Sequence, residues 1–302
     1  MKTTKTMQLL YPQHWSDYEL IDSGGYEKLE RFGTYILRRP EPQAVWTKSL
    51  PETEWEKSAH AFFRKEKGKQ HTDGNERGEW MLKPVMPERW FVDYQYRQMK
   101  LRFRLGLTAF KHVGLFPEQS CNWDFIYDTI SGMNVEQASV LNLFAYTGGA
   151  SLAAKAAGAD VTHVDAVRQV VAWSKENMEA SGLKDIRWVV EDALKFAGRE
   201  VRREKKYHGI ILDPPAYGRG PDGEKWVLEE NIAPLMQLCG KLLHPSGSFL
   251  VLNLYSMGFS ALIADNLIKT YFPNVRESSF GELCIAEPSG RSLPLSVFCR
   301  FG

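Results

Sequence analysis

The sequence predicts an α/β chain in which a doubly wound sheet, finished by an antiparallel last strand, follows a small β-rich domain. Three observations predict it. From Ser139 onward, short aliphatic runs alternate with segments of helical periodicity. Those runs are almost continuously apolar, as strands covered on both faces of a parallel sheet must be. The first 110 residues or so differ: six of the nine tryptophans fall in the first 123 positions, among closely spaced turn signals.

In the N-terminal domain, placed at residues 1–109, "DSGGYE" and "RRPEPQ" separate short strand candidates. The polar run Arg64 to Glu79 reads as an exposed hairpin tip or loop. In "KLRFRLGL", Leu101, Phe103, Leu105 and Leu107 alternate with Lys100, Arg102 and Arg104, giving a strand one apolar and one basic face. A solvated outer face and a contact to an RNA backbone both account for the basic side. In the second domain, residues 110–302, "SVLNLF", "DVTHVD", "IRWVV", "GIILD" and "SFLVLNL" are the strands. Between them "GASLAAKAAG", "VRQVVAWSKENMEASG", "DALKFAGREVRREKK" and "LEENIAPLMQLCGKLL" are helices, with Gly158 and Gly182 at C-terminal cap positions. After a last helix, "SALIADNLIKTYF", the segments "FGELCIAEPSG" and "LPLSVFCRF" form a hairpin turning near Pro288 to Gly290.

Composition narrows the function. No apolar run approaches 18 residues and the N-terminus lacks a leader-like segment, so a cytoplasmic protein with no membrane partner is expected. Cys121, Cys239, Cys284 and Cys299 are scattered, which argues against both a disulfide framework and a metal site. A net charge of +1 announces no nucleic-acid binder, so any such surface must be local.

The candidate site is a series of strand ends. "LNLFAYTGGASLAA" sets Gly148 and Gly149 between a strand and a helix, where backbone can approach a nucleoside ligand closely. It is not the dinucleotide fingerprint, which needs further glycines. Asp165 ends the next strand, where an acid can accept ribose hydroxyls or cap the following helix. Asp192 repeats the arrangement one strand later, suited to an adenine amino group or to a helix cap. Then comes "LDPPAY", with Asp213, Pro214, Pro215 and Tyr217. All four features fall on one edge of an open α/β sheet, the edge at which such sheets bind ligands.

These motifs resemble a class I S-adenosylmethionine-dependent methyltransferase over Phe110 to about Leu254, and D-P-P-A-Y resembles the fourth motif of nucleic-acid base methylases. With "FKHVGLFPEQSCNW" added, the chain is similar to the large-subunit (23S) rRNA methyltransferase family of cytosine-C5 and guanine-N7 enzymes. The resemblance implies a seven-stranded Rossmann-like methyltransferase sheet and S-adenosyl-L-methionine as cofactor. It also implies contacts to that cofactor from Phe116, Glu118, Gln119, Phe144, Ala145, Tyr146, Thr147, Gly148, Gly149, Asp165, Ala166, Asp192, Ala193 and Asp213. The chain departs from the cytosine-C5 members: Leu254, Tyr255 and Ser256 stand where those supply a cysteine nucleophile. A base nitrogen of RNA, foremost rRNA, is therefore the expected acceptor. Asp213 and the Pro214 carbonyl would accept its N–H groups, Pro215 would stiffen the turn, and Tyr217 would stack on a base splayed out of its helix. "GRGPDGEKW" suits a mobile lid or a disordered loop, and the basic run Arg199 to Lys206 a solvated helix end or an RNA-tracking patch. Two other readings stay open, a NAD-dependent oxidoreductase on the same fold and a non-catalytic cofactor-binding RNA assembly factor.

Overall fold

The structure, a computed structural model, describes residues 6–65, 78–255 and 258–302. It divides into two compact units: the chain up to Leu10 with Gln119–Leu283 and Ser296–Gly302, and Tyr11–Glu118 with Cys284–Leu295. Strand β1 (Gln8–Leu10) belongs to the first.

In the second unit, β2 (Tyr18–Gly24), β3 (Glu27–Phe32), β4 (Tyr35–Pro40), β5 (Ala61–Lys65) and β6 (Gly78–Leu82) make one sheet in sequence order, with helix α1 (Glu52–Ser58) between β4 and β5. The "DSGGYE" turn joins β2 to β3 through Gly24, Gly25 and Tyr26, all with positive φ. A Cβ at Gly24 would lie 2.5 Å from the Lys48 amide nitrogen, so only glycine fits. Lys65 pairs with Gly78 in an antiparallel ladder, so β5 and β6 flank the polar run as a hairpin does; positions 66–77 lie outside the described residues. Strands β7 (Arg89–Tyr96) and β8 (Met99–Gly106) form a separate two-stranded ribbon whose period-2 alternation matches the sequence expectation: Met99, Leu101, Phe103 and Leu105 are buried, while Lys100 and Arg102 are exposed.

The first unit carries the large sheet. Helix α2 (Ser120–Ser131), which the periodicity did not single out, precedes β9 (Ser139–Leu143). Then follow α3 (Gly149–Ala156), β10 (Asp160–Asp165), α4 (Arg168–Ala180), β11 (Ile186–Val190), α5 (Ala193–Arg202), β12 (Gly209–Leu212), β13 (Tyr217–Arg219), β14 (Lys225–Val227), α6 (Leu228–Leu242), β15 (Phe249–Leu254), α7 (Ala261–Tyr271), β16 (Ser279–Ala286) and β17 (Ser292–Phe301). Sheet order is β1-β16-β17-β15-β12-β9-β10-β11, with β17 antiparallel to β15, as expected of the last strand. The sheet has eight strands rather than seven, because β1 pairs with β16 and a Cβ at Gly281 would strike the Gln8 backbone. Gly158 and Gly182 have positive φ and end α3 and α4 as predicted. Leu141, Leu143, Ile210, Leu212, Leu250 and Leu252 from the central strands join Phe196, Leu235 and Ile268 of the covering helices in one core. "GRGPDGEKW" is an ordered hairpin rather than a disordered loop: β13 and β14 pair antiparallel, closed by Gly220 N–H donating to the Glu224 carbonyl (2.8 Å). Among the described residues no helix is long and apolar enough to cross a membrane.

Candidate active site

Register fixes the strand ends. Leu143 of β9 pairs with Val164 of β10 and with Leu212 of β12, Asp165 pairs with Val190, and Leu212 pairs with Leu252 of β15. Phe144, Asp165, Asp192, Asp213 and Asn253 therefore sit at or just beyond the carboxyl ends of adjacent parallel strands, the edge where such sheets take ligands.

The β9–α3 turn is strained. Phe144 (φ 57°) and Tyr146 (φ 48°) are both left-handed, a region that aromatic residues rarely occupy. Tyr146 is held from both sides: its N–H donates to Asp165 Oδ2 (2.9 Å) and its carbonyl accepts from Ser174 Oγ (2.6 Å). The other carbonyl within reach of Ser174 Oγ is that of Val170 (3.0 Å), and since the single hydroxyl proton serves these carbonyls, buried His163 donates from Nε2 to Ser174 Oγ (3.4 Å). His163 Nδ1 then accepts from Ser151 Oγ (3.0 Å), which in turn accepts from Asn142 Nδ2 (2.9 Å). The result is a one-way chain of hydrogen bonds from α3 and β9 to the turn. It requires a neutral imidazole, and burial pushes His163 down to about 3. Asn177 Nδ2 donates to the Thr147 carbonyl (2.9 Å), bracing the next residue.

The glycine pair has local reasons. Gly148 has φ 94°, and a Cβ at Gly149 would lie 2.5 Å from Trp123 of α2. Helix packing, rather than ligand approach, thus requires Gly149. Gly148 caps α3 without a side-chain hydrogen bond, so the turn presents helix-start N–H groups that no side chain caps. Asp165 takes one N–H on each oxygen, from Tyr146 and from Val167 (2.9 Å), leaving each oxygen a further lone pair for a hydroxyl. Burial raises its pKa, and those two bonds oppose the rise. Asp192 caps α5 by accepting from the Lys195 N–H (2.9 Å). Ala145, Thr147 and Ala193 are buried, and Ala166 is half-buried.

Beyond β12, Asp213 is half-buried and Asn253 Nδ2 donates to its Oδ1 (2.6 Å). Ser296 Oγ donates to Asn253 Oδ1 (3.0 Å), fixing the amide's orientation. Burial pushes the Asp213 carboxyl up to about 6, with the Asn253 bond opposing. Trp226 of β14 donates its indole N–H to the Pro215 carbonyl (2.7 Å) and its ring lies 4.6 Å from that of Phe144, so one tryptophan links D-P-P-A-Y to the β9 turn. Tyr217 begins β13 and Pro214 is buried. Asn253, Trp226, His163 and Ser174 were not assigned from sequence. Only Asn253 left a signal, as the lone amide in the apolar run "FLVLNL".

Gln119 caps α2 in the same unit and accepts from Asn122 Nδ2 (3.0 Å). Phe116 and Glu118 lie in the other unit. There Glu118 is 2% exposed, and burial pushes it up to about 7 against the charges of Lys28 and Arg39. Nearby Glu30 is also buried, but Arg39 (2.6 Å) and Lys28 (3.4 Å) outweigh that and hold it down at about 2.

Among the described residues no cluster of His, Cys, Asp or Glu could hold a metal ion. None of the four cysteines, all of them described residues, joins a disulfide. Burial pushes Cys239 up to about 12, and Cys299 pairs with Leu252 inside the sheet, so neither offers a thiolate at a strand end.

An open sheet whose ligand-binding edge carries a glycine turn, Asp165, Asp192 and the D-P-P-x-Y strand end suits a group-transfer enzyme with a nucleoside cofactor. A family model described as S-adenosylmethionine-dependent methyltransferase matches residues 70–270, about two thirds of the chain. A crystal structure of the SAM-dependent methyltransferase from Agrobacterium tumefaciens is 36% identical with TM-score 0.87, covering 100% of this chain and 97% of that one. The chain belongs to the S-adenosylmethionine-dependent methyltransferase family. It is therefore a methyltransferase rather than a nicotinamide-dependent oxidoreductase. A methyltransferase structure complexed with SAH shares the fold at 17% identity and TM-score 0.69, covering 95% of this chain and 76% of that one. The ribosomal RNA large subunit methyltransferase K/L of Shewanella frigidimarina is 32% identical over 156 residues, 50% of this chain and 21% of the relative. The chain thus spans about a fifth of the length of the curated relatives it matches.

Proposed function

We propose that this methyltransferase modifies a base nitrogen of large-subunit rRNA at the D-P-P-x-Y strand end. The observation that carries the reading is Asp213, a carboxylate kept at the end of β12 by Asn253, with no cysteine in the sequence at the end of β15. Carbon-5 of cytosine becomes nucleophilic only after a nucleophile has added to the ring, whereas a nitrogen needs its lone pair aligned with the methyl carbon. Above about pH 6 Asp213 is ionised and accepts N–H from the base. The Pro214 carbonyl is the second acceptor, and Trp226 holds the neighbouring Pro215 carbonyl out of the way. Tyr217 stacks on the extruded base. Bound S-adenosylmethionine supplies the electrophilic methyl group. Asp165 would take its ribose hydroxyls and Asp192 its adenine amino group. The Phe144 to Gly149 turn, with Ala166 and Ala193, would line its floor, and Gln119 its methionine side. The names of the rRNA methyltransferase relatives support the substrate class.

Nucleoside mass spectrometry of rRNA from cells with and without the gene tests this. Loss of one N-methylated nucleoside, restored by the wild-type gene and not by Asp213→Ala, is expected. Loss of a C5-methylated pyrimidine instead, or an unchanged rRNA profile, overturns it.

A further inference from the structure

We propose that the outer face of the β7–β8 ribbon is a docking surface for single-stranded RNA, with Phe91 as a base-stacking platform among arginines that take the phosphates. The inference rests on the RNA-substrate reading above. The ribbon's inner face is fully used: Trp90, Val92 and Tyr94 oppose Leu101, Phe103 and Leu105, and all six are buried. Phe91 points the other way and is 45% exposed, so core packing does not explain it. It lies directly across the ladder from Arg104, and the Arg102 guanidinium sits 5.1 Å from its ring centroid.

Charge selects the partner. Between Arg89 and Gly106 stand five cations, Arg89, Arg97, Lys100, Arg102 and Arg104, against the single acid Asp93, a net +4. The whole chain is +1, so the remaining residues net −3 and the ribbon is locally basic against that background. Within the ribbon Arg102 lies 3.8 Å from Asp93, both side chains more than half exposed, so this pair is open to exchange with a phosphate. An acidic protein would satisfy the cations but gain little from an exposed ring set among guanidinium planes. An unpaired nucleotide uses both, because every base has a π-face and every linkage a phosphate.

The test is fluorescence anisotropy of the full chain with a labelled mixed-sequence single-stranded RNA over a salt series. SAH calorimetry and thermal melting of each variant verify folding. Phe91→Ala is expected to weaken binding about tenfold with the salt slope unchanged, and Phe91→Trp to restore it. Arg102→Ala with Arg104→Ala should reduce the slope of log K against log salt by about 1.4, two phosphate contacts on a single strand. Variants that melt and bind SAH normally yet hold RNA as tightly as wild type overturn the surface alone. Equal losses of affinity for polyglutamate and for RNA overturn it in favour of an acidic protein partner. A wild-type chain that binds SAH but neither binds nor methylates RNA overturns the substrate reading and this surface together.

Discussion

Replacing Asp213 with asparagine should stabilise the protein while removing its activity, and both effects follow from one half-buried carboxyl. Burial raises the Asp213 pKa from 3.8 to about 6, with Asn253 opposing. Below pH 3.8 the group is protonated in both folded and unfolded chains and contributes nothing to stability. Between 3.8 and 6 the unfolded chain ionises first, so the penalty on the folded state grows; above 6 it is fully present. At 1.36 kcal/mol per pH unit the penalty comes to about 3 kcal/mol. Asparagine keeps an oxygen to accept from Asn253 Nδ2 (2.6 Å in the wild type) but carries no charge to desolvate. At pH 8 Asp213→Asn should therefore melt about 6 °C higher, at roughly 2 °C per kcal/mol for a chain of this size. The gain should shrink as pH falls toward 4. Methyl transfer at pH 8 should drop at least about 100-fold, because an amide offers the base a weaker acceptor. Scanning calorimetry at pH 8, 6 and 4.5 alongside a methyl-transfer assay reads all of this. A variant no more stable than wild type at pH 8, or one whose gain does not depend on pH, refutes the reasoning.

Three further outcomes are expected. Asn253→Ala removes the donor that restrains Asp213, so the acidic limb of the kcat/KM profile should move up from near pH 6 by about 1 to 2 pH units; a stationary limb would separate Asp213 from the profile. Ser174→Ala deletes the 2.6 Å bond to the Tyr146 carbonyl and breaks the chain from His163, which should weaken SAH binding about tenfold by calorimetry; an unchanged affinity would show that the turn holds its shape without it. Gly149→Ala drives a methyl group against Trp123 and should cost about 1–3 kcal/mol in denaturant unfolding, relieved when Trp123→Leu is added.

The sequence by itself determined the βα order, the strand-end positions of Asp165, Asp192 and Asp213, and the two-faced ribbon. Each of these is written in a local period or in turn residues next to one another. Helix α2 escaped because its buried face mixes Ser120 and Asn122 with Trp123, Ile126 and Ile130, which blurs the apolar period. Tertiary structure decided what no local pattern encodes. The pairing of β1 with β16 joins residues more than 270 positions apart. The left-handed backbone of Phe144 and Tyr146 contradicts the preference of aromatic residues and persists because Asp165 and Ser174 grip Tyr146 from separate elements. Asn253 reaches Asp213 only through the register of β15 on β12. Burial, a property of the packed chain, then sets the pH at which that carboxyl can act.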